Sequence, residues 1–241
     1  MIQVNKLSKR LPGGANVLSD ISFEIGQGEF VAVKGASGSG KSMLLRCLAL
    51  REQWSYGEYI VDGADVLKKG IPGRLKVRRE MAYLEEKPEL IRSKTALKNV
   101  LIGAAHQTPI WRRVTGFIRN DDYMGAMDII EKMGLLDKAH NKGENLSGGE
   151  KQRVAIARAL AHGAKVLLVD EPVSGLDPHS AERVLTDLKN MCKMQGISVI
   201  AVLSQGDWAE RFADRIFGLN SGKLVVDIKG RRMTEREKML I

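Results

Sequence analysis

Cysteine, histidine, proline and aromatic rings are all scarce in this chain of 241 residues, which holds two Cys, four His, six Pro and 5% aromatics. Cys47 lies in the apolar run Met43–Leu48 and Cys192 in a charged stretch, and neither belongs to a C-x-x-C or metal-spaced pattern. A disulfide framework and a zinc site of ordinary spacing are therefore not expected. His106, His140, His162 and His179 stand apart from one another, so surface or helix-end positions are expected for them rather than catalytic ones. No stretch approaches the roughly 18 consecutive apolar residues of a membrane span. The opening MIQVNKLSKR carries no apolar segment of a secretory signal, and a cytosolic chain is the expectation. Positive charge, in contrast, is in excess, at net +9. It gathers at Lys68-Lys69, in the run Arg74 to Arg79, at Arg112-Arg113 and at Arg231-Arg232. Without aromatics interleaved among these cations no nucleic-acid partner is expected, and a solvated basic face near acidic lipid headgroups is the better reading.

What the chain does hold is a loop built for phosphate. Residues 35 to 42 read GASGSGKS and follow the apolar run Phe30-Val31-Ala32-Val33 directly. The pattern G-x-x-x-x-G-K-[ST] between a strand and a helix lets successive backbone N–H groups turn inward on phosphate oxygens. Gly35, Ala36, Ser37, Gly38, Ser39 and Gly40 form the cradle, and Met43 follows it on the helix. Lys41 is placed to reach terminal phosphates, and the Ser42 hydroxyl is placed to ligate Mg²⁺. An incidental glycine-rich turn is the plain alternative.

Strands are expected at Ile2 to Leu7, Val17 to Ile25, Phe30 to Lys34, Tyr59 to Val61 and Met81 to Leu84, with a helix from Lys41 to about Leu50 and a basic helix around Arg74 to Glu80. Residues 87 to 147 change character, with helical patterns at Thr95 to Ala104 and Asp121 to Met133, as an inserted helical subdomain would. Lys165 to Asp170, Ser198 to Leu203 and Arg215 to Leu219 then restore strands, the first two apolar enough for a buried parallel sheet. The end, GRRMTEREKMLI, reads as an exposed charged helix or a loose tail.

Two further motifs carry chemistry. The strand in KVLLVDE ends in Asp170, suited to orienting Mg²⁺, and Glu171, suited to polarising an attacking water. Any buried strand can end in an acid, so the motif alone says little. Upstream, Leu146-Ser147-Gly148-Gly149-Glu150 opens the segment GGEKQRVAIARAL, where a simple serine helix cap is the plain reading.

Together these residues resemble the ATP-binding cassette family, whose signature is LSGGE or LSGGQ, and the resemblance covers about residues 1 to 228 in the family's own order. It implies an α/β fold: a P-loop NTPase (RecA-like) core with an antiparallel β subdomain and an inserted α-helical subdomain. The core would comprise 1–86 and 148–228, the helical subdomain about 87–147, and 229–241 would be a charged tail. It implies ATP and Mg²⁺ as cofactors, Glu171 and Lys41 in catalysis, and Ser42 and Asp170 at the metal. It also implies a head-to-tail dimer, homomeric or heteromeric, in which Ser147, Gly148, Gly149 and Glu150 meet the nucleotide of the other subunit. Ser174-Gly175-Leu176-Asp177 corresponds to the family's D-loop, placing Asp177 at the same interface.

Transmembrane permease subunits, a substrate-binding protein in the assembled system, and a peripheral place on the cytoplasmic face of the inner membrane are implied as well. Within the family, LKNVLIG at 97–103, TPIWR at 108–112, MGLLDKA at 133–139 and SQGDWA at 204–209 look most like the ATPases of phosphonate importers. Trp111 and Phe117 are read as either a surface for a membrane subunit or packing of the helical subdomain.

Three positions depart from the family: Leu11 where an aromatic ring stacks on adenine, Glu86 where a glutamine senses Mg²⁺, and Ser204 in the place of the switch histidine. Each touches the expected nucleotide site, so slow hydrolysis is expected. The leading reading is an importer ATPase for a phosphonate-like or related small oxyanion. The alternative is a regulatory or structural ATP-dependent clamp that acts on a membrane partner without transport.

Overall fold

A computed structural model describes residues 1–66, 68, 70–104 and 120–241. His106, Arg112-Arg113, Trp111, Phe117 and the TPIWR segment lie outside the described residues, as does Lys69. The centre is a six-stranded sheet made of β3 (Phe30–Lys34), β6 (Met81–Leu84), β7 (Val166–Val169), β8 (Ser198–Val202), β9 (Arg215–Asn220) and β10 (Lys223–Lys229), in the order β10-β9-β3-β8-β7-β6. All pairings are parallel except the β9–β10 hairpin. Burial on both faces explains the parallel choice, because every residue of β8 is buried and so are Phe30 to Val33 of β3.

Alternate residues of these strands feed two separate cores. Phe30, Ala32, Val199 and Ala201 face one core, and Val31, Val33, Ile200 and Val202 face the other. On the second side lie α1 (Lys41–Leu48) and an antiparallel four-stranded sheet, order β2-β1-β4-β5, made of β1 (Ile2–Arg10), β2 (Asn16–Ile25), β4 (Tyr56–Val61) and β5 (Ala64–Asp65). From Asp20 to Ile25, β2 alternates between outside and inside, as its half-exposed pattern predicts; a register shift between Leu18 and Ile21 breaks the alternation before that. A basic helix α2 (Gly70–Glu80) leads from there to the edge strand β6.

On the first side, α3 (Ala96–Ala104) and α4 (Asn120–Lys132) pack with α5 (Gly148–Ala161), and α6 (Pro178–Gln195) covers the sheet. Fully buried Asn99 holds the segment before α3: its side chain accepts from Ile91 N at 2.8 Å and donates to the carbonyls of Ile91, Lys94 and Thr95. A single amide thus satisfies four backbone groups of an irregular stretch that has no ladder of its own.

The end of the chain folds back. Thr234 caps the short α7 (Glu235–Lys238), Met233 is buried, the Asn220 side chain donates to Leu240 O at 2.7 Å, and the Ile241 side chain packs on Gly218. Cys47 and Cys192 are free and buried, and burial pushes both thiols up to about 12, so neither is a thiolate at neutral pH.

Two glycines of the helical region differ in a way that can be measured. A Cβ on Gly103 would collide with the Arg158 carbonyl oxygen where α3 meets α5, whereas one on Gly125 of α4 would meet nothing within 4 Å. Gly103→Ala is expected to lower the unfolding free energy by about 1–3 kcal/mol through overpacking. Gly125→Ala is expected to raise it by up to about 1 kcal/mol through helix propensity. Urea denaturation of both variants checks the pair, and equal shifts would show that α3 and α5 are not close-packed at this point.

Candidate functional site: a phosphate loop facing two carboxylates

The site lies where the parallel strands end. Leaving β3, the chain turns at Gly35, whose φ of 151° and close approach admit no side chain: a Cβ would run into the Leu219 carbonyl and lie 2.6 Å from Ser39 Oγ. The loop closes at Gly40, in the left-handed region at φ 102°, and α1 begins at Lys41. Ser39 Oγ is buried within the loop and has no hydrogen-bond partner among the described residues. The Lys41 ammonium donates to the carbonyls of Gly35 and Ala36, each at 2.8 Å, which holds the cation over the cradle.

The second motif arrives from β7. Asp170, only 7% exposed, accepts from Ser42 Oγ at 3.0 Å and, through its other oxygen, from the Tyr83 hydroxyl at 2.9 Å. Arg46 in turn approaches that hydroxyl at 3.5 Å. Burial raises the Tyr83 phenol above its ordinary range, so it remains a donor to the carboxylate. Glu171 has a left-handed φ of 45° and takes its carboxylate sideways, where it accepts a short hydrogen bond from Ser204 Oγ and a long one, 3.5 Å, from Ser204 N. Lys41, Ser42, Asp170, Glu171 and Ser204 therefore converge as the motifs predict.

Ser147, Gly148, Gly149, Glu150 and Asp177 do not join them. Among the described residues no hydrogen bond or ion pair links these five to the loop at 35–43. Ser147 caps α5 in a capping box, with Glu150 N donating to Ser147 Oγ at 3.3 Å and Ser147 N donating to Glu150 Oε2 at 2.7 Å. Asp177 caps α6 by accepting from Ser180 N at 3.0 Å, and the hydrogen bonds from Ser180 hold its carboxylate below the usual range. The start of α5 is close-packed: a Cβ on Gly148 would come within 2.8 Å of the Leu176 side chain and one on Gly149 within 3.0 Å of Ser180 Cβ.

Of the three unusual positions, only Ser204 enters the hydrogen-bonded cluster. Leu11 stands exposed on the turn between β1 and β2, its backbone closing that turn with Gly14 and Ala15. Glu86 stands exposed beyond β6 and makes none of these contacts. The residue of β6 that does reach the cluster is Tyr83, which the sequence reading did not single out. Its signal was a lone hydroxyl in an apolar strand, and only the β6–β7 register, Tyr83 beside Leu168, brings it to Asp170.

Comparison with known proteins agrees with this geometry. The family described as ABC transporter matches residues 18–174. The chain belongs to that family. It is similar to the phosphonates import ATP-binding proteins of Lactobacillus johnsonii, 35% identical with 95% of this chain and 90% of the relative covered, and of Mycoplasma mycoides, 38% identical with 94% and 93% covered. Among solved structures it is similar to a dimeric ATP-binding cassette in a post-hydrolysis state bound to ADP and Pi, with a TM-score of 0.82 and 28% identity over 97% of this chain and all of the other. It is also similar to cbiO1 of Clostridium perfringens, part of the cbiONQ ABC transporter complex, with a TM-score of 0.85 and 26% identity over 95% and 88%. The expected α/β P-loop fold is confirmed, and the cassette is an ATP-binding ATPase.

The described residues hold no cluster of three or more His, Cys, Asp or Glu suited to a metal. A hydroxyl and one carboxylate beside a phosphate cradle are instead the donor set of a cation shared with a nucleotide, which suits Mg²⁺. The Tyr83 bond to Asp170 then orients a ligand from behind. Tyr83→Phe is expected to raise the Mg²⁺ concentration for half-maximal ATP hydrolysis roughly tenfold, with ATP binding in the absence of Mg²⁺ unchanged. Magnesium titration of the ATPase rate checks it, and an unaltered requirement would show that the hydroxyl does not position Asp170.

Proposed function

We propose that this cassette is the ATPase subunit of an importer for a phosphonate-like small oxyanion, docked on permease subunits at the cytoplasmic face of the inner membrane. The observation that carries it is the contact of Ser42 with Asp170 beside the Lys41 cradle, in a chain similar over nearly its whole length to phosphonate-import ATPases.

The roles follow from the atoms present. Lys41 lies over the cradle and would pair with the terminal phosphates of ATP. Ser42 Oγ and Asp170 would hold Mg²⁺, which when bound supplies charge neutralisation at those phosphates. Glu171 is the general base that takes the proton of the attacking water, and Ser204 Oγ occupies one of its oxygens. Ser204 offers no cation to the terminal phosphate, and that lack slows turnover. A second copy or another cassette, placed head to tail, would bring Ser147, Gly148, Gly149, Glu150 and Asp177 to the nucleotide. The exposed Ser147 hydroxyl at the start of α5 suits an anion, since a helix N-terminus carries positive dipole character. A substrate-binding protein completes such a system.

For the permease, the surface is a groove of about 690 Å³ between the sheet edge and the helical region. Tyr83 and Arg51 line it from the core, and Ile102, Arg158 and His162 from α3 and α5. No described helix is long and apolar enough to cross a membrane, so a partner has to supply the span. The Ser204 substitution favours one other reading, an ATP-dependent clamp that changes state slowly on a membrane partner and transports nothing.

Two measurements test these readings. Ser204→His is expected to raise kcat about tenfold or more, judged by the value of one transition-state stabiliser, with little change in ATP affinity. Glu171→Gln is expected to abolish hydrolysis while ATP stays bound, and Lys41→Ala to weaken binding itself. A brisk wild-type rate that histidine does not improve would overturn the role given to Ser204. Uptake of methylphosphonate by native cells is expected to fall to background with Glu171→Gln, and unchanged uptake would favour the clamp.

Ile102→Glu tests the groove. It is expected to release the cassette from detergent-solubilised membrane complexes without altering ATP affinity, and retention in those complexes would move the docking surface elsewhere.

A further inference from the structure

A second cavity, of about 270 Å³, opens between the segment joining α1 to β4 and the basic helix α2. Trp54 and Tyr56 line one side and Arg74 and Arg78 the other, with Glu52 and Gln53 at its margin. Its chemistry is one-sided. Two guanidinium groups line it against one carboxylate, and that carboxylate, Glu52, is paired with Lys9 at 3.0 Å. Trp54 is 9% exposed and its indole Nε1, which can only donate, has no acceptor among the described residues. Arg78 spends one amine on the Leu50 carbonyl at 2.5 Å, which fixes the direction of the rest of its planar fork. That fork suits two oxygens of one tetrahedral anion.

We infer that this cleft binds a phosphoryl-type or phosphonyl oxyanion, received by Arg74 and Arg78 with the Trp54 indole N–H as a third donor and the Tyr56 ring beside any small organic substituent. The volume suits a group of phosphate size with a short arm rather than a nucleotide. This site is separate from the phosphate loop, and its existence does not depend on the transporter reading above. Arg78 also lines the 690 Å³ groove, so an anion held here lies one side chain away from that surface. The oxyanion has two possible sources, a free phosphate or phosphonate and the headgroup of an anionic lipid.

Calorimetric titration with inorganic phosphate and with methylphosphonate, in full-length protein whose loop is disabled by Lys41→Ala, tests the assignment. Saturable binding is expected, weakened at least tenfold by Arg74→Gln with Arg78→Gln, partly retained by Arg74→Lys, and weakened by the conservative Trp54→Phe. The Arg74→Gln, Arg78→Gln protein with an intact loop should bind ATP as wild type does, which also shows that it is folded. Flotation with vesicles of phosphatidylglycerol or of phosphatidylcholine separates the two sources. If only the anionic vesicles bind, and they do so through the same three residues, the headgroup is the ligand. If the variants match the parent toward every probe, or if no probe binds saturably, the cleft is not an anion site.

Discussion

Ser42 and Asp170 lie 128 positions apart in sequence and 3.0 Å apart in space, and the rest of the site depends on what makes that contact possible. The two residues follow β3 and β7, which do not pair with each other but are both paired in parallel with β8 between them. Parallel strands end on the same edge of a sheet, so the loop after β3, the carboxylates after β7 and Ser204 after β8 share one crevice. This is the place where open α/β sheets bind ligands. A register slip of β7 by one residue would turn its apolar side chains to the wrong core and carry Asp170 out of reach of Ser42. The two cores, reading alternate residues of each strand, exclude that slip and so protect the chemistry.

Within the crevice the adjacent acids are given different environments by backbone alone. Asp170 ends its strand in a buried position with two hydroxyl donors, whereas Glu171 enters the left-handed region. A positive φ at a residue with a side chain costs on the order of 1 kcal/mol and persists only where the surroundings hold it. Here Ser174 N donates to Glu171 O at 3.1 Å and Ser204 engages the carboxylate. Glu171 is thereby directed away from Asp170 and toward the end of β8. One acid faces the phosphate loop through Ser42 and the other faces the segment after β8.

The loop, the paired acids and the helix caps were legible because each is a local pattern whose physics is complete within about eight residues. Phosphate cradles need glycines at fixed offsets, and Ser147 with Glu150 is a capping box in any context. The parallel strands were legible as apolar runs. Tyr83 was not, because its importance depends on the strand beside it. The hairpin strand β10 was also missed, although the turn at Asn220-Ser221-Gly222, with Ser221 and Gly222 both at positive φ, was a readable cue. The charged end of the chain hid its contacts for a related reason. Met233 and Ile241 are its apolar anchors, and two apolar residues among many charges give no periodicity. Leu11 and Glu86 lie exposed outside the hydrogen-bonded cluster, one on the turn after β1 and the other beyond β6.

The start of α5 is a helix cap that packs against the turn following the two carboxylates. Leu176 and Ser180 press against Gly148 and Gly149, and Leu176 belongs to the turn whose Ser174 amide bonds the Glu171 carbonyl. The path from the Glu171 carboxylate to the exposed Ser147 hydroxyl is therefore one short turn packed against one helix end. Packed contacts of this kind transmit displacement rather than absorb it, because interiors have few voids to take up a shift. A change in the set of Glu171 would move the Ser174 to Asp177 turn, and with it the Ser147 face. The departure at position 204 thus bears on more than the rate at one carboxylate, because Ser204 is the partner that fixes where that carboxylate rests.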